Sequence, residues 1–489
     1  MDAHAQSTPR VAVIGAGFSG IAAAVALRRK GIEDFVIFEQ APGLGGTWWH
    51  NRYPGAEVDL ESHIYSFSFE RHDWTRTHAD WRELLGYLEG VADKWDLRRR
   101  IRFNENVTDV SWSDSDHTYT VTTAAGGDHG VFTAVISAVG FLNIPLLPPF
   151  ARESNDFHGA ICHTSRWIEG LDMTGKSVAV VGTGSSAVQI VSEAERVAAD
   201  VTIFQLEPNW LLPKESRAFT ARERRLNRNR LVYGWRRLKL YADYDRRQLR
   251  SGHARIGGRS NKLRHAKSRE FLQRELAGRP DLIELVTPKF AFEGRRTVLS
   301  DTYYAALRSP KVTLVPHGVK GLTRTGAVDA NGDEHNFDII VLATGFDAAN
   351  YLGNYRVHGQ NGAELHESWQ GEPEAFLGMM VPGFPNFFIM YGPNTNSVPL
   401  VAFYEAQADF AAGLITRAAR EGKTVIDVRR SAFVIYNDWL QALLAKTVWS
   451  TANSYFRAGT GKIVSQWPLG ATPYILATKL LRRIAIRLS

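Results

Sequence analysis

The sequence predicts an α/β chain built from two strand–glycine-turn–helix–strand units, with a helical insertion in the second. Three observations carry this. An apolar run ending in glycine, RVAVIG (10–15), is followed by an Ala-rich stretch and a second β-branched run, DFVIFE (34–39). The same grammar returns at SVAVVG (177–182), GTGSSAVQIV (182–191) and VTIFQLE (201–207). Between Glu215 and Pro280 the rhythm breaks into an Arg-rich, nearly proline-free stretch of helical composition.

The first turn reads GAGFSG, with Gly15, Gly17 and Gly20 in the G-x-G-x-x-G positions and Glu39 closing the following strand. Glycine allows the tight turn and lets backbone approach a pyrophosphate. The helix N-terminus then presents N–H groups and positive dipole to that anion. An acid at the end of the next strand accepts hydrogen bonds from ribose hydroxyls. The second turn, GTGSSA, places Gly182 and Gly184 likewise and Ala187 third. Each alone could be an ordinary glycine-rich turn. Together, in Rossmann-like settings, they predict two nucleotides on one scaffold, a flavin and the nicotinamide that reduces it, and hence an oxidoreductase.

After Glu39 comes GGTWWHNRYPGAEVD (45–59). Gly45 and Gly46 permit close approach to a flavin. Trp48 and Trp49 offer rigid apolar cover. Pro54-Gly55, following Tyr53, sets a tight turn that aims Asp59 inward. An aromatic-rich core loop with a surface acid is the alternative reading. Shorter strand signals follow at VTLV (312–315) and DIIVLATG (338–345), and the closing stretch KLLRRIAIRLS reads as a terminal helix rather than a membrane anchor.

Hydrophobic content of 44% and charged content of 22% are ordinary for a globular chain of 489 residues. A single cysteine, Cys162, excludes an internal disulfide framework, a CxxC pair and a thiolate metal cluster, and no metal site is expected. No secretory leader and no run of about 18 apolar residues is visible, so a soluble cytoplasmic protein without an integral membrane segment is expected. The net charge of +7 is unevenly placed: residues 216–280 hold 20 Lys/Arg against 5 Asp/Glu, leaving the remainder mildly acidic. No nucleic-acid-binding module accompanies that cluster. It reads as solvated faces of surface helices, or as an attraction for phosphate-bearing ligands or membrane surfaces.

Taken together, the motifs resemble the class B flavoprotein monooxygenases, and within them the type I Baeyer–Villiger monooxygenases. GTWWHNRYPGAEVD is similar to the family's tryptophan-and-YPG signature. FHGAICHTSRW (157–167) resembles its linker fingerprint, with Phe157, Gly159, His163 and Trp167 in register and Ile168 where Pro or Asp usually follows. ATGFD (343–347), GFPNFFIMYGPNT (383–395) and SYFRAGTGKIVSQWP (454–468) resemble its second linker, its late flavin-contact segment and the region that closes over nicotinamide and substrate.

The resemblance implies FAD, NADPH, molecular oxygen and a small-molecule ketone. A C4a-peroxyflavin would insert oxygen next to the carbonyl, giving an ester or lactone. It also implies a flavin domain of residues 1–148 with 355–489 and a coenzyme domain of residues 149–354, with 215–280 as the insertion. FAFEGRRTVLSD (290–301) is similar to the segment that carries the family's catalytic arginine, which makes Arg296 the candidate, oriented by Asp59. Arg295 would contact the 2′-phosphate of NADPH. Further cofactor contacts are implied for Thr47, Tyr53, Tyr65, Val107, Ser185, Ser186 and Gln189. One departure matters: Leu206-Glu207 stands where the family usually has Arg-Thr, and an acid there favours two free ribose hydroxyls, so NADH use is possible. The other functional classes are a relative that oxidises amines or sulfides and a non-catalytic, redox-sensing flavin and coenzyme binder. Substrate identity and oligomeric state are not legible.

Overall fold

The computed structural model describes residues 8–153, 157–252 and 254–489. Its frame is two five-stranded parallel sheets. The first runs in the order Phe387–Ile389, Ala134–Ser137, Val11–Ile14, Phe35–Glu39, Ile101–Phe103. The second runs Val312–Val315, Asp200–Phe204, Ser177–Val181, Ile339–Leu342, Ala160–His163. Strands covered on both faces must be apolar at every position. Val11 to Ile14 are accordingly all buried.

The period-two alternation of a strand sorts those side chains into two cores. Val11 and Val13 pack with the helices Phe18–Arg29 and Leu400–Arg420. Ala12 and Ile14 face a four-stranded sheet made by Arg356–His358, Val107–Ser113, Thr118–Thr123 and Val131–Phe132. The second unit repeats this plan. Val178 and Val180 face the helix Ser185–Val197, whereas Ala179 and Val181 face a three-stranded antiparallel sheet over Val319–Leu322, Gly326–Asp329 and Glu334–Asn336.

The repeat extends to single hydrogen bonds. Gly15 N–H donates to Phe38 O at 2.7 Å, and Gly182 N–H donates to Phe204 O at 3.0 Å. Both glycines have positive φ, +101° and +120°, and a Cβ on either would lie 2.8 or 2.5 Å from a carbonyl, that of Ala138 or Ala343. No L side chain suits either position.

The insertion lies between the strands Asp200–Phe204 and Val312–Val315. It forms the helices Ala221–Asn227, Arg230–Ser251 and Arg259–Glu275, and the helix Pro280–Val286 follows it. Thr220 and Glu223 start the first by a reciprocal capping box. The insertion folds back on residues 61–73. Arg237 donates to His63 O at 2.7 Å, Tyr244 Oη donates to Glu61 Oε2 at 2.6 Å, and Arg224 pairs with Asp73 at 3.0 Å.

The chain terminus differs from the expected helix. The helix Ala471–Leu481 stops, and Ile486–Leu488 pairs antiparallel with Ile426–Val428. Ile486 is buried and Arg487 exposed, the alternation of a strand rather than of a helix.

Candidate active site

A cavity of about 780 Å³ runs along the C-terminal edge of the first sheet, inside the roughly 300–1,000 Å³ span of cofactor and ligand pockets. Gly15 and Gly17 stand at one end, Asp59 and Arg296 further along, and Glu39, Gly46, Thr47, Trp48, Tyr65 and Val107 on the walls between. Gly17 and Gly46 face each other so closely that a Cβ on Gly46 would lie 3.0 Å from the Gly17 Cα. Gly20 is not on the wall. A Cβ there would come 1.9 Å from the Gly15 carbonyl, so this glycine lets the helix seat against the turn.

Glu39 is buried. One carboxylate oxygen accepts from Ala16 N–H at 2.8 Å and the other from Ala41 N–H at 2.9 Å. Desolvation raises its pKa, partly offset by those N–H groups. The short helix Thr47–His50 buries Trp48, whose indole N–H donates to Tyr65 Oη at 3.2 Å with the rings nearly perpendicular. Burial pushes the Tyr65 phenol up to about 12, so it stays protonated.

Arg296 and Asp59, 237 residues apart in the chain, meet as an ion pair with Nη2–Oδ2 2.6 Å. Desolvation pulls the guanidinium pKa down, but the Asp59 carboxylate and the Tyr455 hydroxyl outweigh it and hold the value above normal. Arg296 is a permanent cation whose side chain remains 46% exposed, on the cavity wall. Behind Asp59 lies Lys214, 2% exposed, with Nζ 3.8 Å from Asp59 Oδ1 and donating to Glu57 Oε1 at 2.8 Å. Sequence reasoning missed Lys214 and Glu57. A lone Lys in LLPKES carries no signal, because only the fold brings it to Asp59. Tyr391 also reaches the cavity, its hydroxyl donating to Asn396 Oδ1 at 2.6 Å.

Tyr53, Ser186 and Gln189 come together away from the cavity wall. Tyr53 Oη donates to Gln189 Oε1 at 2.7 Å and lies 3.1 Å from Ser186 Oγ, while Gln189 Nε2 donates to Glu57 O at 3.0 Å. These bonds stitch the YPG turn to the helix Ser185–Val197. Gly184 caps that helix, and a Cβ on it would meet nothing within 4 Å, so the turn from Gly182 to Ser185 opens to free space.

Arg295 ion-pairs with Glu207 and lies over the Phe290 ring at 4.9 Å from its centroid. The Glu207 carbonyl accepts from Thr183 Oγ1 at 2.6 Å, which fixes this acid at the mouth of the second glycine turn.

Phe157 is buried beside Gly159, where a Cβ would collide with Asp338 O and the Phe157 ring. Trp167 packs against the second unit's core. His163 Nδ1 accepts from Ser165 N–H at 3.1 Å, so Nε2 carries the proton and donates to Gly345 O at 3.0 Å. Burial lowers its pKa to about 4. The first linker is thereby tied to the second, ATGFD. Cys162 is buried and its thiol pushed up to about 11, and among the described residues no group of three or more His, Cys, Asp or Glu converges as a metal site.

Residues 12–251 match the family model for pyridine nucleotide-disulphide oxidoreductases. A Baeyer–Villiger monooxygenase of Pseudomonas aeruginosa is 35% identical over 468 residues, covering 94% of this chain and 87% of that protein. The chain belongs to the Baeyer–Villiger flavoprotein monooxygenases. The solved structure of OTEMO in complex with FAD and NADP superposes with a TM-score of 0.89 at 25% identity, covering 98% of this chain and 99% of that one. This monooxygenase also has a relative of different chemistry, the phenazine N-monooxygenase PhzNO1 of Lysobacter antibioticus, 29% identical over 91% of this chain and 89% of that one.

Proposed function

We propose that this monooxygenase uses FAD, NADPH and molecular oxygen to insert one oxygen atom beside a ketone carbonyl, giving an ester or lactone. The observation that carries the reading is the Arg296–Asp59 pair on the wall of a cavity that begins at the first glycine turn. That cavity fits a dinucleotide. The N-terminus of the helix Phe18–Arg29 and the Gly15–Gly17 backbone suit a pyrophosphate, Glu39 suits the ribose hydroxyls, and Trp48 and Tyr65, packed edge to face, line an apolar stretch of wall.

Bound FAD, once reduced by NADPH, supplies the activated oxygen. The chain's part is to hold charge. Arg296 faces the cavity, where negative charge develops on the oxygen donor and then on the carbonyl adduct. A fixed cation about 4 Å away contributes roughly 4 kcal/mol at an effective dielectric of 20. Asp59 aims the guanidinium, and Lys214 behind it keeps Asp59 in place and tempers its charge. Residues 1–148 with 355–489 form the flavin domain in this reading, and residues 149–354 the coenzyme domain. Arg295 serves the 2′-phosphate, in competition with Glu207. A cytoplasmic location follows for an enzyme fed by NADPH.

Oxidation of a soft heteroatom, the chemistry named for the phenazine relative, has no strict need for the Arg296–Asp59 pair. Product analysis with a cyclic ketone, an aryl ketone and a thioether separates the two. Esters support the proposal, and sulfoxide alone supports the alternative. Arg296→Ala should leave flavin reduction within severalfold of wild type while ester formation falls by about 10²–10³. Esters formed at an undiminished rate would remove Arg296 from its assigned role.

A further inference from the structure

Nothing in the oxygenation chemistry uses the outer face of the insertion. The helix Arg230–Ser251 buries Tyr233, Asp245 and Gln248. Its first turns also carry Leu231, Trp235 and Leu238, which are 81%, 65% and 64% exposed. The spacing i, i+4, i+7 places them on one stripe that points into solvent. A second stripe lies on the helix Ala471–Leu481 and the turn after it, where Leu476, Leu480 and Ile484 are 52%, 69% and 69% exposed.

The two helices meet at the N-terminal end of the second. Tyr241 Oη meets Thr472 Oγ1 at 3.2 Å, and one turn later Asp245 Oδ1 accepts from Thr472 N–H at 3.1 Å. Asp245 and Gln248 also abut Gly470, which caps the second helix. Each stripe groups three large apolar side chains at helical spacing, unlike the scattered single side chains common on soluble surfaces.

Cations stand beside both stripes. Lys239 Nζ lies 5.7 Å from the Trp235 ring centroid, and Lys479 and Arg483 are exposed beside Leu480 and Ile484. The surrounding segment 216–280 holds 20 Lys/Arg against 5 Asp/Glu. An RNA would take the charge but leave the apolar stripe in water.

We propose that the stripe Leu231, Trp235 and Leu238 docks on an anionic lipid bilayer, with its apolar side chains at the level of the headgroups and acyl boundary and the neighbouring Lys/Arg over the lipid phosphates. The binding is peripheral: among the described residues no helix is long and apolar enough to cross a membrane. The proposal is independent of the reaction assigned to the cavity.

The test uses the full-length holoenzyme, sedimented with vesicles of phosphatidylcholine alone or of phosphatidylcholine with about one-third phosphatidylglycerol. Binding is expected to the anionic vesicles, at least about tenfold above the neutral ones, weakening as added salt shortens the Debye length. Trp235→Glu with Leu238→Glu should lower it about tenfold further while coenzyme oxidation and melting temperature stay unchanged. These side chains are exposed, so the fold tolerates the change. No binding to anionic vesicles at low salt overturns the proposal, as does binding that ignores the double substitution. So does a dimer that the double substitution dissociates, which assigns the face to a second copy. Stripe-dependent retention of RNA in place of vesicles overturns it as well.

Discussion

Asp59 is held from two sides, and the cost of removing each partner differs. Arg296 keeps a cavity-facing surface, whereas Lys214 is buried, with Glu57 as its 2.8 Å partner. Lys214→Met leaves Glu57 without that cation and should destabilise the fold by about 3 kcal/mol, read from urea midpoints, with Glu57→Gln in the same chain recovering part of the loss. An unchanged midpoint would contradict the pairing. Glu207 makes the matching case at the proposed coenzyme end, because it occupies the guanidinium proposed for the 2′-phosphate. Glu207→Gln frees Arg295, and the ratio of kcat/KM for NADPH over NADH should rise about tenfold, or about 1.4 kcal/mol. A ratio that does not move would take Glu207 out of coenzyme choice. Arg296, Asp59, Arg295 and Glu207 were all visible in the sequence by motif. The pairing of Arg296 with Asp59 was legible too, through the family resemblance; Lys214 behind Asp59 and the pairing of Arg295 with Glu207 were not, because a motif fixes what a residue is and rarely what stands across from it.

The strands and glycine turns were legible because each obeys a local rule: an apolar run of strand length, then a glycine whose backbone no other residue adopts. The short terminal strand Ile486–Leu488 was not, since its order comes from Ile426–Val428 and not from its own three residues. The YPG turn shows how one short element couples two larger ones. Its tyrosine, assigned from sequence to cofactor binding, hydrogen-bonds Ser186 and Gln189 on the helix of the second unit. Tyr53→Phe removes the donor to Gln189 Oε1 and should lower stability by roughly 1–2 kcal/mol. Thermal unfolding of the variant checks this, and an unshifted transition would mean that the seam bears no energy.

Three buried histidines set the acid limit of the protein. Desolvation lowers the pKa of His63 to about 3 and of His78 and His163 to about 4. The unfolded chain protonates these rings near 6.5. Between about 4 and 6.5 the unfolded state therefore binds more protons, and stability rises with pH. Each ring contributes at most about 1.4 kcal/mol per pH unit in that window. Urea midpoints measured across it should fall steadily with acidification, and a flat profile would show that these rings become charged without unfolding.

From its own residues the chain determined two nucleotide-type units, the turns that open them, the basic insertion and the residue types a flavin oxygenase needs. Those follow from backbone sterics and periodicity, which act over a few residues. The tertiary structure decided that Lys214 stands behind Asp59 and Glu207 across from Arg295, that Tyr53 serves as a clasp between units, and that two distant helices leave apolar stripes exposed. Such pairings depend on how separately folded units dock, and docking is set by surfaces whose parts lie hundreds of residues apart.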